Sequence, residues 1–94
     1  MKNKYESVMI LKESLENEEY TKEFDKIKSY FENCEIKKFE EIGKRKLAYE
    51  IKQNKFGIYI LVEFQTEKEN ILEIERKYRI DENILKFIVV RIDD

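Results

Sequence analysis

Two short stretches of this 94-residue chain are apolar at successive positions: Val8-Met9-Ile10-Leu11, and Ile58-Tyr59-Ile60-Leu61-Val62 continuing to Phe64. A strand that alternates apolar and polar residues offers one face to a core, whereas one that is apolar at successive positions offers both. That pattern predicts strands with a neighbour on each side, over residues 5–11 and 58–64. Whatever sheet the chain forms, these two segments belong at its centre.

The remaining periodicities supply the elements around them. Tyr20, Phe24, Ile27 and Phe31 recur at helical spacing and predict a helix over residues 16–31, with Glu18 and Glu19 suited to its positive start. Ile36, Ile42, Leu47, Tyr49 and Ile51 fall mostly at alternate positions over residues 35–52, with Gly43 midway. This predicts a long edge strand bent or bulged at the glycine, with its lysines facing solvent. Residues 52–57 read as the turn of a hairpin leading into the second central strand. Thr66 and Glu69 have the spacing of a capping box, and Ile71, Ile74 and Tyr78 predict a helix over residues 67–79, ended by Asp81, Glu82 and Asn83. Residues 84–92 read as the last strand. The order βαββαβ predicts an α+β, ferredoxin-like sandwich over residues 1–94: a four-stranded antiparallel sheet with two helices on one face and the other face free to bind.

Composition narrows the chemistry. The chain has no Pro, one Cys and no His, which excludes an intrachain disulfide, an imidazole base and a zinc cluster of Cys and His. Cys34 is expected to be a packed residue at the end of a helix. Residues 1–5 carry no apolar leader, and no apolar run approaches the roughly 18 residues of a membrane span. A cytoplasmic protein with no membrane partner is expected.

The formal net charge of −2 argues against nucleic acid, but its distribution does not. Residues 37–55 hold seven Lys or Arg against Glu40, Glu41 and Glu50, and residues 1–12 hold three Lys against Glu6, whereas residues 13–36 carry a net −5. One basic region able to meet phosphates and an acidic remainder are expected.

Several functions share this topology. An RNA-recognition motif would carry a basic residue, glycine and paired aromatics in its third strand, but here the stretch is Lys55-Phe56-Gly57-Ile58-Tyr59-Ile60-Leu61-Val62. An acylphosphatase would have a Gly-rich phosphate loop with an Arg after the first strand. Here Leu11 is followed by Lys12-Glu13-Ser14-Leu15, and Gly43 and Gly57 are the only glycines. The pairs Glu18/Glu19 and Glu40/Glu41 lack apolar neighbours that would raise one pKa and read as solvated surface. No enzyme and no cofactor are expected. A regulatory dimer that binds small ligands between sheets stays open as an alternative.

The segment Gly43-Lys44-Arg45-Lys46-Leu47-Ala48-Tyr49-Glu50-Ile51 resembles the G-x-R-x-L-A-Y-x-I signature in the second strand of bacterial ribosomal protein S six. The Tyr5-Glu6 opening, Gly57 with Tyr59, and the closing residues 84–91 extend the resemblance over essentially the whole chain. It implies a structural component of the bacterial small ribosomal subunit, located in the cytoplasm within the ribosome. Such a protein binds the central domain of small-subunit ribosomal RNA, rather than DNA, cooperatively with ribosomal protein S eighteen. Many members continue into a flexible tail where this sequence stops at Asp93-Asp94, so contacts of a tail are not carried over.

Lys44, Arg45 and Lys46 beside a glycine in a bent strand can project toward phosphates, and Arg45 can fork two hydrogen bonds onto one. Lys52 and Lys55 extend the patch to the hairpin tip, and Lys2 and Lys4 are expected to join it from the first strand. Leu47 and Ile51 are expected in the core, with Tyr49 packing on or capping the sheet rather than stacking on a base. The unpaired edge of the second strand is the expected dock for the S eighteen protein. The isolated chain is expected to be monomeric and to bind RNA weakly, with affinity falling as salt rises.

Overall fold

The computed structural model describes residues 2–92. The elements are β1 (Lys2–Lys12), α1 (Asn17–Ser29), β2 (Glu35–Ile51), β3 (Asn54–Glu67), α2 (Glu69–Ile80) and β4 (Ile84–Arg91). The strands form one sheet in the order β2-β3-β1-β4, antiparallel at every pairing. The two strands with two apolar faces are the central pair, in register from Lys2 opposite Glu67 to Lys12 opposite Gly57. Each helix carries the chain past one intervening strand, α1 from β1 to β2 and α2 from β3 to β4. Connections of the same hand leave both helices on one face.

Alternation then sorts the side chains. Tyr5, Met9 and Leu11 of β1 and Ile58, Ile60, Val62 and Phe64 of β3 point to the helices, where they meet Ile27 of α1 and Ile74 and Tyr78 of α2. Removing a side chain of this size from water contributes about 1.5–3 kcal/mol before chain ordering is set against it. The one hydroxyl that Tyr78 brings into this core is bonded to Ser7 Oγ at 3.0 Å. The aromatic stripe of α1 is core, as its spacing predicts. Ile27 is buried, Tyr20 and Phe24 pack half-buried against the cluster, and Phe31 lies 4.9 Å from the Phe64 ring centroid although the helix has ended at Ser29.

Two local expectations are corrected. The turn of the β2–β3 hairpin is Lys52-Gln53 alone, and β3 begins at Asn54 rather than at residue 58. Both turn residues have positive φ, 45° and 68°, the mirror-type turn whose twist suits a hairpin. Thr66 is not a helix cap. It is a buried residue of β3 whose Oγ1 donates to the Asn33 carbonyl at 3.3 Å and accepts from Asn70 Nδ2 at 2.8 Å. Helix α2 starts at Glu69 without a side-chain cap.

Candidate nucleic-acid interface

The basic hairpin is shaped by two glycines and a clamp. At Gly43 the register with β3 shifts and φ is +108°, a conformation side-chain-bearing residues rarely adopt, so the predicted bulge of β2 is present. Beyond it Lys44 lies opposite Ile58, Arg45 opposite Gly57 and Lys46 opposite Phe56. Directly opposed residues share a face. Lys44 and Lys46 therefore project on the helix side and Arg45 on the open side, so the three cations straddle the sheet rather than sharing one surface. Lys44 Nζ sits 5.7 Å from the Phe56 ring centroid.

The tip is tied to the loop after β1. Glu13 N–H donates to Asn54 Oδ1 at 3.2 Å, Glu13 Oε2 accepts from Phe56 N–H at 2.8 Å, and Asn54 Nδ2 donates to the carbonyls of Ile51 and Lys52. These bonds hold Lys52 and Lys55, both exposed, in a fixed direction at the end of the molecule.

The charges of residues 37–55 divide into two sets. Lys37 and Lys38 are neutralised by Glu35 at 2.7 Å and Glu40 at 3.1 Å. Among the described residues Lys44, Arg45, Lys46, Lys52 and Lys55 make no ion pair, and they are exposed. Lys12, opposite Gly57 in the adjacent strand, lies beside them and was not singled out from the sequence.

The expectation that Lys2 and Lys4 join this patch is corrected by the register. Lys4 is opposite Gln65 and Lys12 opposite Gly57, so Lys4 stands about 26 Å, at the usual rise of a strand, from the level of Lys12 and Arg45. Lys4 instead shares a depression with Lys37, Glu63, Gln65 and Ile92. Lys68 and Arg91 border the neighbouring one beside Tyr5 and Leu72. The hairpin cations and the Lys2–Lys4 group therefore lie at opposite ends of the sheet. Sequence reasoning joined them because a charge count along the chain carries no direction, and strand β1 runs from one end to the other.

The open face of the sheet is apolar at its centre. Leu61, Val8 and Ile88 form one row across β3, β1 and β4, and Tyr59, Ile10 and Lys86 form the next. Ile88 is 53% and Val90 45% exposed. Leu47 is buried, as expected, against Ile10 and Gly57, whereas Ile51 is only half-buried. Tyr49 reaches from β2 to the far side of this face, where its hydroxyl accepts a hydrogen bond from Lys86 Nζ at 3.0 Å and the ammonium lies 5.5 Å from its ring centroid. Tyr49 caps the sheet while its own side is exposed. Its hydroxyl holds the Lys86 pKa above the usual lysine range.

The carboxylate pairs adjacent in sequence, Glu18/Glu19 and Glu40/Glu41, are exposed. The pair the fold does bring together is Glu23 and Asp81, both buried. Sequence reasoning missed it, although Glu23 lies one helical turn before Ile27 on the buried stripe. Cys34 is half-buried, and burial pushes its thiol up, away from reactivity.

The chain is thus a ferredoxin-like sandwich with a basic hairpin at one end, unneutralised among the described residues, and one apolar face of its sheet uncovered. Comparison with known proteins places it more narrowly. Residues 4–91 match the family described as Ribosomal protein S6. The small ribosomal subunit protein bS6 of Helicobacter acinonychis is 42% identical over 91 residues, covering 95% of this chain and 64% of that protein. The bS6 of Clostridium acetobutylicum is 38% identical over 93 residues, 97% of this chain and 98% of its own length. The chain thus spans just under two thirds of the Helicobacter relatives and nearly all of the clostridial one. The crystal structure of 30S ribosomal protein S6 from Thermotoga maritima superposes with a TM-score of 0.91 at 30% identity, covering 98% of this chain and 89% of that one. The chain belongs to the ribosomal protein S6 family.

Proposed function

We propose that this chain is a structural, non-catalytic component of the small ribosomal subunit that binds central-domain ribosomal RNA together with ribosomal protein S eighteen. The observation that carries the reading is the set of five exposed cations, Lys44, Arg45, Lys46, Lys52 and Lys55, that make no ion pair among the described residues, on a hairpin whose tip is tied by the Glu13–Asn54 clamp. Phosphates are the natural partners of such a set, since each phosphate neutralised releases condensed counterions. Lys2 and Lys4, at the opposite end of the sheet, supply a second contact. With 21 acidic residues in the chain as a whole, the isolated monomer binds RNA weakly, and the partner makes binding cooperative. The S eighteen protein docks along the outer edge of β2, whose backbone groups pair with β3 on one side only. The exposed Ile88 and Val90 let that interface continue over the open face.

The test is binding to a central-domain RNA fragment with and without the S eighteen protein, for the wild type and for Lys44→Ala/Arg45→Ala/Lys46→Ala. Partner-dependent binding is expected, weakened at least tenfold in the triple variant, with a log-log salt slope shallower by about 0.7–0.9 for each phosphate that is no longer neutralised. Amide exchange over residues 36–51 should slow in the complex. No binding even with the partner would overturn the reading in favour of the ligand-binding dimer, and unchanged exchange in β2 would remove its edge as the dock.

A further inference from the structure

Glu23, in the middle of α1, and Asp81, between α2 and β4, are each 3% exposed. Asp81 is supplied with donors at both oxygens: Tyr30 Oη–H donates to Oδ2 at 2.8 Å and Asn83 N–H to Oδ1 at 3.0 Å. Glu23 Oε1 accepts from Asn83 Nδ2 at 2.7 Å. Glu23 Oε2 is buried with no hydrogen-bond partner among the described residues, and the Glu23 carboxyl lies within hydrogen-bonding reach of Asp81. The other charged or titratable groups around the pair are Glu19, Lys22 and Lys26 of α1, and Tyr78 of α2 behind Tyr30. None of the lysines makes an ion pair with either carboxylate. Two ionised carboxylates placed in this way would repel each other out of water, and one oxygen would be left without a partner. A single proton on Glu23 Oε2, donated to Asp81, removes both costs.

We propose that Glu23 and Asp81 hold one proton between them in the folded protein, in a carboxyl–carboxylate hydrogen bond that fastens α1 to the α2–β4 turn and loosens when the proton leaves. The balance of nearby groups agrees. Burial, and then Asp81, push Glu23 from its ordinary 4.5 up to about 7, against the pull of Asn83 and Lys26. Burial alone would raise Asp81 too, but the hydrogen bonds from Glu23, the Asn83 N–H and Tyr30 outweigh it and hold Asp81 below its ordinary range. Because the folded pKa of Glu23 is raised, its contribution to stability is complete below about 4.5 and is lost as pH rises through about 7. Asp81 acts with the opposite sign: its contribution is lost as pH falls through its lowered pKa. The clasp is therefore closed in mildly acidic solution and opens across neutrality.

The test uses the full chain. The side-chain carboxyl carbon of Glu23 is followed by NMR from pH 4 to 9, and urea unfolding is measured at pH 5 and pH 8 for the wild type and for Glu23→Gln. Gln keeps an acceptor for Asn83 and offers Asp81 an N–H that does not titrate. Glu23 should titrate near 7, and the wild-type unfolding constant should rise from pH 5 to pH 8 by on the order of fiftyfold more than that of the variant. A Glu23 midpoint at its ordinary value, or the same pH dependence in both proteins, would overturn the proposal. If Glu23→Gln does not fold, the wild-type titration decides alone.

Discussion

At Gly57 the constraint is steric. A Cβ there would overlap Ile10 Cγ2 and come within 3.3 Å of Leu47 Cδ2 and 3.4 Å of the Leu11 carbonyl. Gly57→Ala has to displace the residues that join the hairpin to the open face, so it should cost about 1–3 kcal/mol. The cost would be read as a lower urea midpoint at unchanged m. An unchanged midpoint would mean that Ile10 and Leu47 move aside freely. The sequence showed that Leu47 is buried but not what it packs on, because Leu47 falls in the third register shift of β2, between Lys46 and Ile51, where alternation no longer follows the pairing with β3. Ile51, assigned to the core by the same alternation, lies past that shift and is half out of it. Glu23 was legible by position and hidden by type, since a charged residue on a buried stripe reads as an interruption until its partner is known.

Among the elements, the six expected segments and their order are present, because each has a periodicity of its own. The boundaries that moved are those set by tertiary contacts. Thr66 has the spacing of a cap yet commits its hydroxyl to Asn33 and Asn70, and the Lys52-Gln53 turn contains neither of the residue types that mark such turns. Both residues sit in the left-handed region, which side-chain-bearing residues other than Asn and Asp enter at a cost of roughly 1 kcal/mol each. Lys52→Asn/Gln53→Gly should relieve that cost and stabilise the protein by about 1 kcal/mol, read as a higher thermal midpoint with the Asn54 and Glu13 clamp untouched. No gain would mean that the clamp, rather than the turn residues, sets the hairpin. Removing Lys52 should at the same time weaken RNA binding, which separates its role in binding from its role in the turn.

On the scale of the whole molecule, strand direction decides what the charges can do. Strand β1 carries Lys2 and Lys4 to one end of the sheet and Lys12 to the other, beside the hairpin cations. Two groups about 26 Å apart lie well beyond a Debye length of roughly 10 Å and share no side-chain partner, so on the proposed reading they are expected to meet RNA as separate contacts. Lys2→Ala/Lys4→Ala and Lys44→Ala/Arg45→Ala/Lys46→Ala should each weaken binding of the fragment in the presence of the S eighteen protein. Combined, their effects should add to within about 0.5 kcal/mol, provided the RNA meets both ends in one rigid pose. Additivity would make the molecule a two-ended brace between RNA segments. A combined effect no larger than that of one end would mean that only that end meets the RNA, and an effect well beyond the sum would show that binding at one end positions the RNA for the other.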